Sequence, residues 1–95
     1  MQVIQWGRAR KFFQKHSEAE TPLKNWRLAV QEADWKNFSE VKQTFNTADW
    51  VEGRIVFDIK GNDYRLIAVA YFADDKLWIR NVLTHQEYDK GDWKK

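Results

Sequence analysis

Ile55, Phe57 and Ile59 alternate with Arg54, Asp58 and Lys60, the period of a strand that buries one face. Gly61-Asn62-Asp63 follows as a turn, since glycine and asparagine tolerate the positive φ of a tight hairpin. Residues 64–72 are almost wholly apolar after Arg65, which predicts a central strand covered on both sides. Asp74 and Asp75 make the next turn, and residues 76–83 return as a third strand with Arg80 in its middle. The meander runs out in a polar tail, residues 84–90, which holds His85 and Tyr88 among charged groups.

Upstream, Val3 and Ile4 predict a short strand over residues 1–5. Over residues 6–16, Trp6, Ala9, Phe12 and Phe13 recur at helical spacing, with Arg8, Arg10, Lys11 and Lys15 on the other side. His16 falls at the end of this helix, where the dipole favours a cation. Thr21 as cap and Pro22 at the first helical position open a second helix, which Leu23, Trp26, Leu28, Ala29, Val30 and Ala33 carry to about residue 34. Residues 35–49 read as an extended connection with one helical piece over 40–45, capped by Ser39 and facing Val41 and Phe45 inward. Trp50 and Val51 lead through a Glu52-Gly53 turn into the meander. No repeat, low-complexity run or flexible linker interrupts the chain. The order predicts a single α+β domain over residues 1–95, in which an N-terminal strand and two helices pack on one face of an antiparallel meander. The other face is then open.

Strand parity says what that open face carries. Arg65 and Arg80 are too costly to bury unpaired, which places them beside Arg54, Asp58 and Lys60. Parity then brings Ile67, Val69, Trp78 and Val82 to the same side. Cations mixed with flat and apolar groups suit RNA, where cations hold phosphates and rings stack on unpaired bases. They equally suit a protein partner. The plain alternative is a solvated sheet on which these cations pair with Asp58, Asp63 and Asp74. The basic side of the first helix divides the same way, between a solvated surface and a contact for RNA phosphates or an acidic partner.

Composition narrows the field. With 95 residues the chain has a modest core, and with no cysteine it has neither a disulfide framework nor a thiol nucleophile nor a Cys-type zinc site. A reducing, cytoplasmic setting fits this. The beginning of the chain, MQVIQWGRARKFF, holds no apolar run of signal-peptide or membrane-span length. Net charge is only +2, so affinity for nucleic acid must come from local clusters of Lys and Arg. Most of the six Trp belong in the core, with one or two left for contact. Metal chemistry has weak support: Asp74-Asp75 reads as a turn and Glu87/Asp89 as a charged helix start, with no spaced ligand set. No Gly-rich phosphate loop or serine-nucleophile motif occurs.

The segments KGNDYRLIAVAYF and WIRNVLTHQEYDK strongly resemble the HigB-type toxins of bacterial type II toxin–antitoxin modules, within the RelE-like mRNA endonucleases. AETPLKNWRLAVQEADWKNFSEVKQTF and GRIVFDIKGN fit the same family, so the resemblance covers nearly the whole chain. It implies a RelE-like fold and a toxin that cleaves mRNA, generally on the translating ribosome, without metal or other cofactor. It implies as partners mRNA, the ribosome and a helix-turn-helix antitoxin of the HigA type. Relatives usually carry Gly before the Thr-His pair, where this chain has Leu83.

Metal-free RNA cleavage is attack of a 2′-hydroxyl on the adjacent phosphorus with loss of the 5′-oxygen. It needs a base, an acid and cations for the growing negative charge. With the resemblance in hand, His85 is the candidate acid or base. Lys60, Arg65 and Arg80 are candidates to hold the scissile phosphate, and Tyr88 to orient a base or take part in proton transfer. If His85 proves structural, Tyr88 and Lys60 come next, the latter with its pKa lowered by neighbouring cations. Arg54 and Lys90 extend the expected RNA contacts. A different class stays open: a non-enzymatic toxin on the same scaffold, such as a ParE-like protein that binds DNA gyrase.

Overall fold

The hydrophobic stripe of the first helix forms as α1 (Trp6–Lys15), after a short strand β1 (Gln2–Ile4). His16 caps it: its backbone N–H reaches the Phe12 carbonyl, and its ring stacks on Phe12 at 4.4 Å between centroids. The second helix, α2 (Glu20–Glu32), begins earlier than Thr21 because a 3₁₀ turn (Ser17–Ala19) runs straight into it. Thr21 therefore caps nothing, and Pro22 sits harmlessly in the first turn, where its missing N–H is not needed. The third helix, α3 (Phe38–Thr44), is capped by Asn37, whose side chain accepts from the Glu40 backbone N–H at 3.1 Å. The expected cap, Ser39, lies inside it.

This computed structural model describes residues 1–94. Five strands form one sheet: β1, then β2 (Asp49–Val51), β3 (Arg54–Ile59), β4 (Tyr64–Tyr71) and β5 (Lys76–Thr84), in the spatial order β1-β5-β4-β3-β2. The meander β3–β4–β5 is antiparallel with β4 central, and β1 adds a parallel edge along β5. Trp50 and Val51, read as a lead-in, form the extra strand β2 together with Asp49 from the end of the connection. They pair with β3 across the two-residue loop Glu52-Gly53, in which both residues have positive φ. That geometry matches the twist of the strands, and glycine at the second position makes it cheap.

Helices α1, α2 and α3 cover one face. Ile55, Phe57, Ile59 and Leu66 share a core there with Leu23, Trp26 and Val30, and Phe12 packs at its margin half-buried. Trp26 and Phe45 both meet the Phe57 ring edge-on, at 5.3 and 5.2 Å.

The second face is not open throughout, as parity had suggested. Thr84 ends β5 and caps a further helix, α4 (His85–Lys90), in a reciprocal box with Glu87: each side chain takes up the other's backbone N–H. Gly91, at φ 77°, stops α4 and turns the chain back, so that Trp93 lands on Val56 and Ile67. Half of the outer face is thereby closed by the segment that read as a tail. A β-bulge between Ile67 and Ala68 on one side and Ile79 and Asn81 on the other also shifts the parity of β5. Val82 consequently turns to the helical core and Leu83 to the outer face, against the expectation for Val82.

Candidate active site at the end of the sheet

The outer face has two ends. At one, Ile59, Tyr64 and Thr84 stand side by side on β3, β4 and β5, so the β3–β4 loop and the start of α4 are neighbours. His85 is the first residue of α4. Its backbone N–H donates to the Asp63 carbonyl at 3.0 Å, and its Nδ1 lies 2.9 Å from the Asp89 carboxylate one turn along. This contact engages Nδ1 and leaves Nε2 without a hydrogen bond to a described residue. Asp89 had not been singled out as a partner; the His-x-x-x-Asp spacing on a capped helix was the available signal.

Lys60 belongs to the loop rather than to β3, with φ 54° next to Gly61 at 63°. Its Nζ bonds the Asp63 carboxylate at 3.0 Å. That hydrogen bond, with the charge of Asp63, raises the lysine's pKa, opposite to the lowering expected from cationic neighbours. Lys60 therefore carries its charge through neutral pH.

Arg65 is buried, at 8% exposure, where parity had put it on the open face. The rule against unpaired burial holds, because each of the three guanidinium nitrogens has a partner. Its Nε faces Asp58 at 3.2 Å, and its remaining nitrogens donate to the Asn62 carbonyl and side-chain oxygen at 3.0 and 2.7 Å and to the Tyr64 carbonyl at 3.1 Å. The Tyr88 ring covers it at 5.4 Å. Arg65 thus ties the loop to α4. Tyr88 stacks on Trp93 at 5.2 Å with planes 12° apart. Burial, then the nearby Asp49, raises its pKa, so its hydroxyl keeps its proton through neutral pH.

His85, Lys60, Arg65 and Tyr88 are linked in this way through residues 62 and 63 of one loop. Arg80 is not among them. It lies at the bulge, its carbonyl accepts from Arg8 at 2.7 Å, and its side chain lines a separate depression with Tyr71, Asp74, Lys76 and Trp78. Arg54 begins β3 at the same remote end. Lys90 lines a shallow depression of about 290 Å³ with Asn81, Leu83 and Trp93, beside α4. Leu83, in the position where glycine was expected, is half-buried in the Val56–Ile67–Trp93 cluster and takes part in the floor of the site. No periodicity marks Trp93; its signal in the chain is an aromatic two residues beyond a helix-ending glycine.

A second depression, about 220 Å³, opens on the other side of Glu87, lined by Arg8, Lys11 and Lys15 of α1 with Phe12 and His16. None of these three cations is in an ion pair with a described residue. Among the described residues no group of three or more His, Asp or Glu gathers as a metal site, and no helix is long and apolar enough to cross a membrane.

A family model described as HigB_toxin, RelE-like toxic component of a toxin–antitoxin system, matches residues 19–91. The chain is 29% identical over 79 residues to the mRNA interferase toxin HigB of Escherichia coli strain K12, a match that covers 80% of this chain and 76% of the relative. The mRNA interferase HigB of Shigella flexneri matches to the same extent. A further mRNA interferase HigB, from Escherichia coli O6:H1, is 30% identical over 64 residues, covering 64% of this chain and 62% of its own.

Proposed function

The chain belongs to the HigB_toxin family, RelE-like toxic components of toxin–antitoxin systems, and from that premise we propose that it is an mRNA endoribonuclease that arrests translation by cutting message on the ribosome. The relatives named mRNA interferase support the activity. They favour it over the gyrase-binding alternative, to which no observation lends weight. Its restraining partner is a helix-turn-helix antitoxin of the HigA type.

The observation that carries the reading is His85. It is a half-exposed histidine at a helix start, oriented by Asp89 and standing beside the charged Lys60 loop. His85 removes the proton of the 2′-hydroxyl, whose oxygen then bonds to phosphorus. The 5′-oxygen leaves and takes up a proton, and a cyclic phosphate remains. Tyr88, which stays protonated, is the candidate to supply that proton. Lys60 and Lys90 hold the phosphate. Arg65 keeps Tyr88 and the loop in register, with Arg54 and Arg80 engaging RNA farther along the sheet.

His85→Ala should lower cleavage of a reporter message in programmed ribosomes by on the order of 100-fold or more, with its thermal midpoint close to that of the parent. A folded His85→Ala chain that cuts like the parent would remove the histidine from the chemistry. Intact message in cells arrested by the parent would sink the nuclease reading itself.

A further inference from the structure

The end of the outer face away from His85 is bare. Beyond the Ile55–Ala68 pair the next level of the sheet carries Arg54, Val69, Trp78 and Ile4, and the last carries Tyr71 and Lys76. Trp93 covers Val56 and Ile67, with Val51 at the edge of that cluster. Trp78 is 37% exposed and Tyr71 48%, two rings on one flat surface. With Lys76, Arg80 and Asp74 they line a depression of about 410 Å³. Neither Arg54, Lys76 nor Arg80 is in an ion pair with a described residue, and Asp74 is the one acidic group on its wall.

The other exposed large apolar residues do not assemble this way. Leu28 stands alone on α2, and Trp50 leans on Phe38 at 5.5 Å. Single exposed residues need no explanation, whereas two rings among three cations on a sheet do. Three cations around the rings, without an ion pair to a described residue, complement a polyanion, and the aliphatic residues beside Trp78, Val69 and Ile4, are half-buried.

We propose that this uncovered half of the sheet is a base-stacking platform for single-stranded RNA, on which Trp78 and Tyr71 take unpaired bases while Arg54, Lys76 and Arg80 hold the intervening phosphates. Exposed rings on a flat surface bind bases without regard to sequence, and cations beside them track the backbone. The platform lies on β4 and β5, and β5 leads at its other end into His85. From the Tyr64–Thr84 pair to the Val69–Trp78 pair is five residues of β4, about 17 Å at the rise of an extended strand. One extended strand of RNA can therefore occupy both ends, so that bases several nucleotides from the cut are gripped while the scissile phosphate lies at His85. This rests on the endonuclease reading, which it extends from the cut to the length of message bound.

The test separates the two. On a His85→Ala background, which cannot cut, binding of a short fluorescein-labelled single-stranded RNA is followed by anisotropy. Trp78→Ala should weaken it about tenfold or more, and Tyr71→Ala by a similar or smaller factor, while Trp78→Phe keeps most of the affinity. The same RNA with abasic nucleotides should bind the parent and Trp78→Ala alike. Thermal melts of all variants exclude unfolding. Unchanged affinity in a folded Trp78→Ala chain overturns the platform, as does an absence of RNA binding by the His85→Ala parent. Loss of antitoxin binding with RNA binding intact overturns it in favour of a protein interface. None of these results touches cleavage at His85, which stands or falls on the reporter message.

Discussion

The two faces of the sheet are built on different scales. Beneath α1, α2 and α3 a broad core runs from Leu23 and Trp26 through Phe57 to Ile79. On the outer face, among the described residues, the buried cluster is Val56, Ile67 and Trp93, with Val51, Leu83 and Tyr88 at the edge. The first face makes the fold stable enough for the second to be left incomplete, and His85 and the paired Arg65 occupy the second. A domain of this size can cover one side of its sheet well. The uncovered side is where polar and aromatic groups can meet a ligand.

The difference can be tested by removing atoms from each side in turn. Leu66, fully buried under the helices, should cost about 2–5 kcal/mol on replacement by alanine, read from urea unfolding. A loss below 1 kcal/mol would mean that the inner face is not the main source of stability. Trp93→Ala should cost less, about 1–3 kcal/mol, since its burial is shared by a smaller cluster and one stacked ring. Its effect on cleavage should exceed its effect on stability, because Tyr88 loses the surface that orients it. Equal losses from Trp93→Ala and Leu66→Ala would erase the contrast between the faces.

The smallest effect belongs to the seam between the N-terminal helices and the sheet. The Tyr64 hydroxyl donates to the Glu18 carboxylate. That bond holds Glu18 below the usual carboxylate range and pushes Tyr64 up to about 12. It needs Glu18 ionised and Tyr64 neutral. The depressed carboxyl gives stability that is present above its unfolded value and is lost as pH falls through its folded one. The raised phenol gives stability that is present below its unfolded value and is lost as pH climbs toward about 12. The gap in urea midpoint between parent and Tyr64→Phe should be flat at neutral pH and close at both extremes. A gap that is constant across the whole range would show that the hydroxyl contributes nothing through Glu18.

Much of this was legible in the chain, and the exceptions have physical causes. Ile55, Phe57 and Ile59 declare their face because each is flanked by residues of the other set, and Trp26 and Phe12 fall on a clean helical stripe. β5 was misread beyond Ile79 because a bulge adds one residue, which no alternation records. β2 is three residues long, too short to show a period. Arg65 was assigned by a sound rule, that buried charge must be paired, but the pairing came from Asp58 across the ladder and Asn62 in the turn. The Asp58 pair is the one the solvated-sheet alternative names, whereas the Asn62 contacts depend on how the turn folds back. The location of His85, Lys60 and Tyr88 followed from the meander, while the Asp89 contact and the cover by Trp93 depended on how residues 84–93 turn back.

The capping box at Thr84 and Glu87 has one more consequence. A helix of six residues does not persist in water by itself. α4 therefore lasts only as long as its cap, its glycine stop and the Tyr88–Trp93 stack act together. It can detach as a unit while β4 remains buried between its neighbours, a local opening well short of global unfolding. The residue assigned to the chemistry rides on that short segment. Warming should accordingly silence the toxin reversibly at temperatures where its sheet is still intact.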